Sequence, residues 1–178
     1  MLRKWRKGIA FVLFMALSLG VKTIALAAAP EAIPAIPEDT VVINLFDPDD
    51  PNLVEIVDVP ATVRTTSRPT QVWNLNTQGR YSYSAYSNNN IMWSKYIFFS
   101  GSNLGWFEIK ANSTNTNYRL LVYDAENNKE YKYNIFSTNV LCLTRNLPGW
   151  ENPDSFYFGI DTTITKSAVS VNGYVDLE

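Results

Sequence analysis

Nine consecutive residues, Ile91-Met-Trp-Ser-Lys-Tyr-Ile-Phe-Phe99, contain no glycine or proline, and seven of them are apolar or aromatic. At a strand rise of ~3.3 Å per residue such a run spans about 30 Å, enough to cross a small domain. β-branched and aromatic side chains suit a packed, pleated surface, so the stretch reads as the central strand of a sheet. Ile91, Trp93, Lys95, Ile97 and Phe99 form one alternating set, and Met92, Ser94, Tyr96 and Phe98 the other. Large apolar groups in both sets predict cover on both faces.

Polar turns cut the rest of the chain into similar short runs. Val41–Leu45 and Leu53–Val57 flank the Asp-Pro turns of residues 47–52, and Gln71–Leu75 and Tyr81–Tyr86 precede the central run. In Leu104–Ala111, Phe107, Ile109 and Ala111 alternate with Trp106, Glu108 and Lys110, which predicts one dry and one wet face. Tyr118–Asp124 and Glu130–Phe136 read as a hairpin with Tyr131, Tyr133 and Ile135 inward. Val140–Thr144, Ser155–Asp161 and Ala168–Leu177 complete the set, and no long stretch shows a helical period. Eight to ten short strands at this spacing predict an all-β, antiparallel β-sandwich of Ig-like or jelly-roll type over residues 41–178.

Ahead of that domain, Arg3, Lys4, Arg6 and Lys7 precede an apolar core from Ile9 to Leu19 and an Ala25-Leu-Ala27 box. This is the pattern of a secretory signal over residues 1–27, and its apolar core is too short for a membrane span. Residues 28–40, rich in Ala and Pro, read as an extended linker. Residues 1–27 hold five of the 15 basic residues and none of the 17 acids, so residues 28–178 carry 10 against 17, a net charge of −7. Such a surface repels phosphate backbones and anionic lipid, so no nucleic-acid partner and no membrane-surface binding are expected, and no later apolar stretch is long enough to predict membrane insertion after signal removal. With a single cysteine, the exported domain has no internal disulfide and depends on its core.

The signal pattern, the Tyr81-Ser-Tyr-Ser84 run, Tyr96–Phe99 (Tyr-x-Phe-Phe) and Gly173-Tyr-Val175 together resemble small secreted β-sandwich proteins of Gram-positive bacteria. The resemblance covers roughly half the chain, from Tyr81 on. It implies a small secreted β-sandwich without an established activity. This chain carries more Trp and Tyr in its strands than that pattern.

Catalytic chemistry has few footholds. The chain has no histidine, which excludes Ser-His-Asp and Cys-His catalysis and His-ligated metals. Cys142 sits among Val140, Leu141 and Leu143 and reads as a buried thiol without a base. Glu108, Asp124, Glu126, Glu151 and Asp154 are the acids from which a two-carboxylate glycosidase could be built, but most fall in turns or on the wet face. Asp47, Asp49 and Asp58 fit positions one, three and twelve of a calcium loop, with Asp50 beside them. Pro51 and Asn52 occupy the places that need a ligand and a glycine, so these read as solvated turn acids. No metal and no cofactor is expected. Asn112-Ser-Thr114 matches a glycosylation sequon, relevant only in a eukaryotic secretory pathway.

Aromatic residues remain, with five Trp, ten Tyr and nine Phe. Most alternate with polar residues and belong in a core. Trp106, sharing a face with Glu108 and Lys110, and Trp150, in a Pro-Gly loop, are expected to be exposed and are the candidate carbohydrate-binding pair. The leading expectation is an exported, extracellular, non-enzymatic β-sandwich of unknown partner. A carbohydrate- or cell-wall-binding module is the alternative, and a small glycoside hydrolase the third reading. Cleavage after Ala27 is the direct test of export: N-terminal sequencing of secreted material is expected to begin at Ala28, and an intact Met1 would end that reading.

Overall fold

A computed structural model describes residues 38–60, 68–101, 105–112, 117–144 and 152–177. The expected signal over 1–27 and the linker up to residue 37 lie outside them, as do Trp150 and Glu151. In chain order the elements are β1 (Val41–Asn44), β2 (Leu53–Asp58), β3 (Gln71–Asn74), a single turn α1 (Leu75–Gln78), β4 (Tyr81–Asn88), β5 (Ile91–Trp93) and β6 (Tyr96–Phe99). Then follow β7 (Gly105–Ala111), β8 (Tyr118–Asp124), β9 (Lys129–Ile135), β10 (Asn139–Leu143), β11 (Ser155–Asp161) and β12 (Ala168–Leu177).

These strands form two sheets. The first runs β1-β10-β7-β12-β4; the second runs β2-β9-β8-β11-β6-β3, with β5 also on β11. Most pairs are antiparallel, but β1 lies parallel to β10 and β3 parallel to β6. The antiparallel expectation holds for most pairs and is corrected at two: both sheets are mixed, each with a parallel pair at an edge. The physical reason is that β1 and β3 reach their partners by long connections, which allow either direction, whereas a short hairpin enforces antiparallel pairing.

The nine-residue central run is also corrected. It breaks into β5 and β6, which pair with different parts of β11. Ser94 marks the break: its N–H still donates to the Phe158 carbonyl at 2.7 Å, but its hydroxyl accepts from the Phe158 N–H at 3.3 Å and donates to the Tyr96 carbonyl at 3.0 Å. A short polar side chain satisfying nearby backbone competes with the regular ladder. The hairpin of β8 and β9 follows the sequence reading, with Tyr131, Tyr133 and Ile135 buried. Asn128, at the end of its turn, has φ 55°, a conformation asparagine tolerates better than most residues.

The sheets meet through aromatic rings. Phe107 of β7 lies on Phe158 of β11 at 4.7 Å with 9° between planes, and Phe156 and Phe98 continue the stack at 6.1 and 5.8 Å. Around it pack Ile109, Leu120, Val122, Val140, Val171 and Cys142, all at 1% exposure or less. Burial pushes the Cys142 thiol well above the usual thiol range, so it remains an inert core group. Asp50 is buried for a structural reason: its carboxylate accepts from the Asn44 N–H at 2.7 Å and the Asn52 N–H at 2.8 Å, tying the Asp-Pro turns to β1.

Two substitutions test this core. Phe107→Ala should cost about 3–5 kcal/mol, the usual penalty for removing a buried ring. The Tyr118 hydroxyl is buried with no hydrogen-bond partner among the described residues, so Tyr118→Phe should be neutral or add about 1 kcal/mol. Urea denaturation of both variants measures the contrast, and equal losses would refute the orphaned hydroxyl.

Candidate functional site

Among the described residues, three of the acids that suggested hydrolysis serve local structure. Asp124 accepts from the N–H groups of Glu126 and Asn127, both at 2.9 Å, and so caps the β8–β9 turn. A Glu126 oxygen accepts from the Asp154 N–H at 3.0 Å, and burial, then the nearby Asp154 carboxylate, push the Glu126 carboxyl above the usual carboxylate range. Glu108 pairs with Lys110 at 2.8 Å on the outer face of β7. Among the described residues no group of three or more acids, thiols or imidazoles could hold a metal ion.

Trp106 is not where the alternation put it. It is 1% exposed and packs with Leu141, Leu143, Val42 and Tyr174 on the outer face of the first sheet. Its ring stands edge-on to Tyr174 at 4.9 Å, and its N–H donates to the Leu177 carbonyl at 3.3 Å. The cause lies in β10, where four successive apolar residues occupy both faces. Val140 and Cys142 enter the main core, while Leu141 and Leu143 stay outside, and Leu143 is the direct cross-strand partner of Trp106. A continuous apolar run signals a strand covered on both sides. A ring so covered offers no free face for stacking on a sugar.

A different aromatic surface opens at the seam between the sheets. β4 is the last strand of the first sheet, and a turn at Asn89–Asn90 carries the chain to β5 in the second. Ser87 pins this corner through hydrogen bonds of 2.8 Å to the Asn90 side chain and 2.9 Å to the Thr162 hydroxyl. β4 and β5 do not pair with each other. Between them lies a cavity of about 210 Å³ lined by Tyr81, Tyr83, Ala85, Met92, Trp93, Lys95 and Phe158, with Ser84 and Ser94.

The walls of this opening are fixed by packing. Tyr83 lies 5.2 Å from Phe158 and donates to the Glu108 carbonyl at 2.6 Å. Burial pushes its phenol far up, so the hydroxyl stays neutral. At one end Trp73, Tyr81 and Tyr96 pack together with centroids 5.1–5.4 Å apart. Trp93 lies over Gly159, where any Cβ would stand 2.7 Å from the indole. Glycine in the middle of β11 is what lets that ring approach the sheet. Lys95 is exposed, its ammonium 5.1 Å from the Tyr96 ring.

Among the described residues no carboxylate, thiol or imidazole lines the cavity, which holds rings, hydroxyls and one cation. Sites for drug-sized ligands occupy about 300–1,000 Å³, and this smaller space suits one ring-sized group. The sequence carried one signal of it, the isolated Gly159 within an aromatic strand. Comparison with known protein families, curated proteins and solved structures finds no match to this chain.

The burial of Trp106 generates a direct test. Trp106→Ala should lower stability by about 3–5 kcal/mol, as deletion of a packed indole does. A loss below about 1 kcal/mol in chemical denaturation would mean that the ring is not packed.

Proposed function

We propose that this chain is an exported, non-enzymatic β-sandwich domain that binds its ligand at the seam between β4 and β5. One observation carries the reading: an aromatic-lined cavity of about 210 Å³ in which no carboxylate, thiol or imidazole stands among the described residues. Asp124, Glu126 and Glu108 are engaged in turn capping, a backbone contact and an ion pair, which supports binding rather than turnover. The basic, apolar and Ala-x-Ala pattern of residues 1–27 supports export, and the acidic balance of residues 28–178 argues against nucleic acid.

A carbohydrate or cell-wall ligand is the second reading, and the lining favours it. Tyr81, Tyr83 and Trp93 line the opening with aromatic side chains, while Ser84 and Lys95 supply polar groups there. This moves the sugar reading from Trp106 to the seam.

Filling the cavity separates these possibilities. Ligand-observed NMR with soluble cell-wall fragments and simple sugars should show saturation transfer from the wild type and none from Ala85→Leu, with both proteins folded. Binding that survives Ala85→Leu would refute the seam site. Binding to no saccharide would remove the carbohydrate reading.

A further inference from the structure

Arg68, just ahead of β3, lies against the outer face of the second sheet. Register places Tyr123 of β8 directly between Tyr157 of β11 and Glu130 of β9, so the three side chains form one rung. Tyr123 and Tyr157 stack at 4.6 Å with 28° between planes, and Trp93 stands against Tyr157 at 5.5 Å and 72°. The Arg68 guanidinium carbon is 4.8 Å from the Tyr123 centroid, 5.1 Å from Trp93 and 5.9 Å from Tyr157. One guanidinium nitrogen meets the Glu130 carboxylate at 2.9 Å, and another donates to the Tyr157 hydroxyl at 3.1 Å. The Arg68 and Glu130 side chains are only 12% and 11% exposed.

Three rings and a carboxylate arranged around one cation exceed what an ordinary surface ion pair needs. A planar, delocalised, weakly hydrated guanidinium suits such walls, because it can stack on rings while donating in its own plane. Burial pushes the Tyr157 phenol up to about 12, so it faces Arg68 as a neutral acceptor at physiological pH.

We propose that this rung is a recognition site for a guanidinium or alkylammonium group, with Arg68 as its resident ligand. Tethering keeps Arg68 at an effective concentration of order millimolar beside the cage. An added cation therefore meets an occupied site in the wild type and an open one once Arg68 is truncated. The inference is independent of the seam cavity. Trp93 borders both, but Glu130, Tyr123 and Tyr157 do not line the seam.

The test is chemical rescue of Arg68→Ala with n-propylguanidinium at millimolar, non-denaturing concentration, with n-propylurea as the neutral control. A ligand that binds the folded state raises the melting temperature with a saturating dependence. The expected result is a saturable rise of a few degrees in Arg68→Ala with the guanidinium. No rise is expected with the urea, little in the wild type, and none when Glu130→Gln is added. Equal responses to the two additives, no response, or the same response in the wild type would overturn the proposal. If Arg68→Ala does not fold, Arg68→Met keeps the packed stem and takes its place. Folding of either variant with propylguanidinium but not propylurea supports the site, and folding with neither refutes it.

Discussion

The face-to-face contact of Phe107 with Phe158 is the constraint on which the two-sheet arrangement depends. It is the 4.7 Å meeting of β7, in the middle of one sheet, with β11, inside the other. Offset and edge-on rings contribute stability beyond the area they bury, and here four phenylalanines make a continuous stack. With no disulfide available to a chain that has one cysteine, this stack and its aliphatic surround carry the cohesion between sheets. Separating the two sheets would expose the rings together, so loss of structure there is expected to be cooperative.

The same aromatic economy shapes the surfaces. On the first sheet, Trp106 and Tyr174 with Leu141 and Leu143 form a small second cluster outside the main core. On the second, Trp93, Tyr123 and Tyr157 gather around Arg68. Arg80 repeats the motif on a smaller scale, its guanidinium 4.4 Å from the Tyr174 ring and paired with Asp176 at 2.6 Å. In each place a large ring lying on a sheet face is covered by an apolar neighbour or a cation rather than left to water.

How much of this was legible in the sequence follows from what periodicity can encode. The all-β class and the β8–β9 hairpin were readable, because alternation in Tyr131–Ile135 specifies a face and a polar turn specifies a reversal. Alternation failed for Trp106, since the residues that cover it belong to β1, β10 and β12 rather than to β7. The parallel edges were invisible for the same reason: direction depends on which distant strand is the partner. The break at Ser94 lay inside a run whose composition favoured an unbroken strand, and only the hydroxyl bonds of that serine reveal it. Neither the seam nor the Arg68 rung could be read without register, because each joins residues from three or more strands.

The edge pairings also bear on the order in which the chain can acquire its shape. Val41 aligns with Val140, and Tyr81 with Val175, so both flanks of the first sheet are joined across most of the folding domain. Contacts so distant along the chain make closure slow relative to local structure. A polypeptide emerging with its amino end first has β1 and β4 in hand long before β10 and β12 arrive to cover them. During that interval β4 is a run of tyrosine, serine, alanine and asparagine without a charge or a proline to discourage other strands. The interval before the carboxyl end arrives is thus when this domain is most exposed to mispairing.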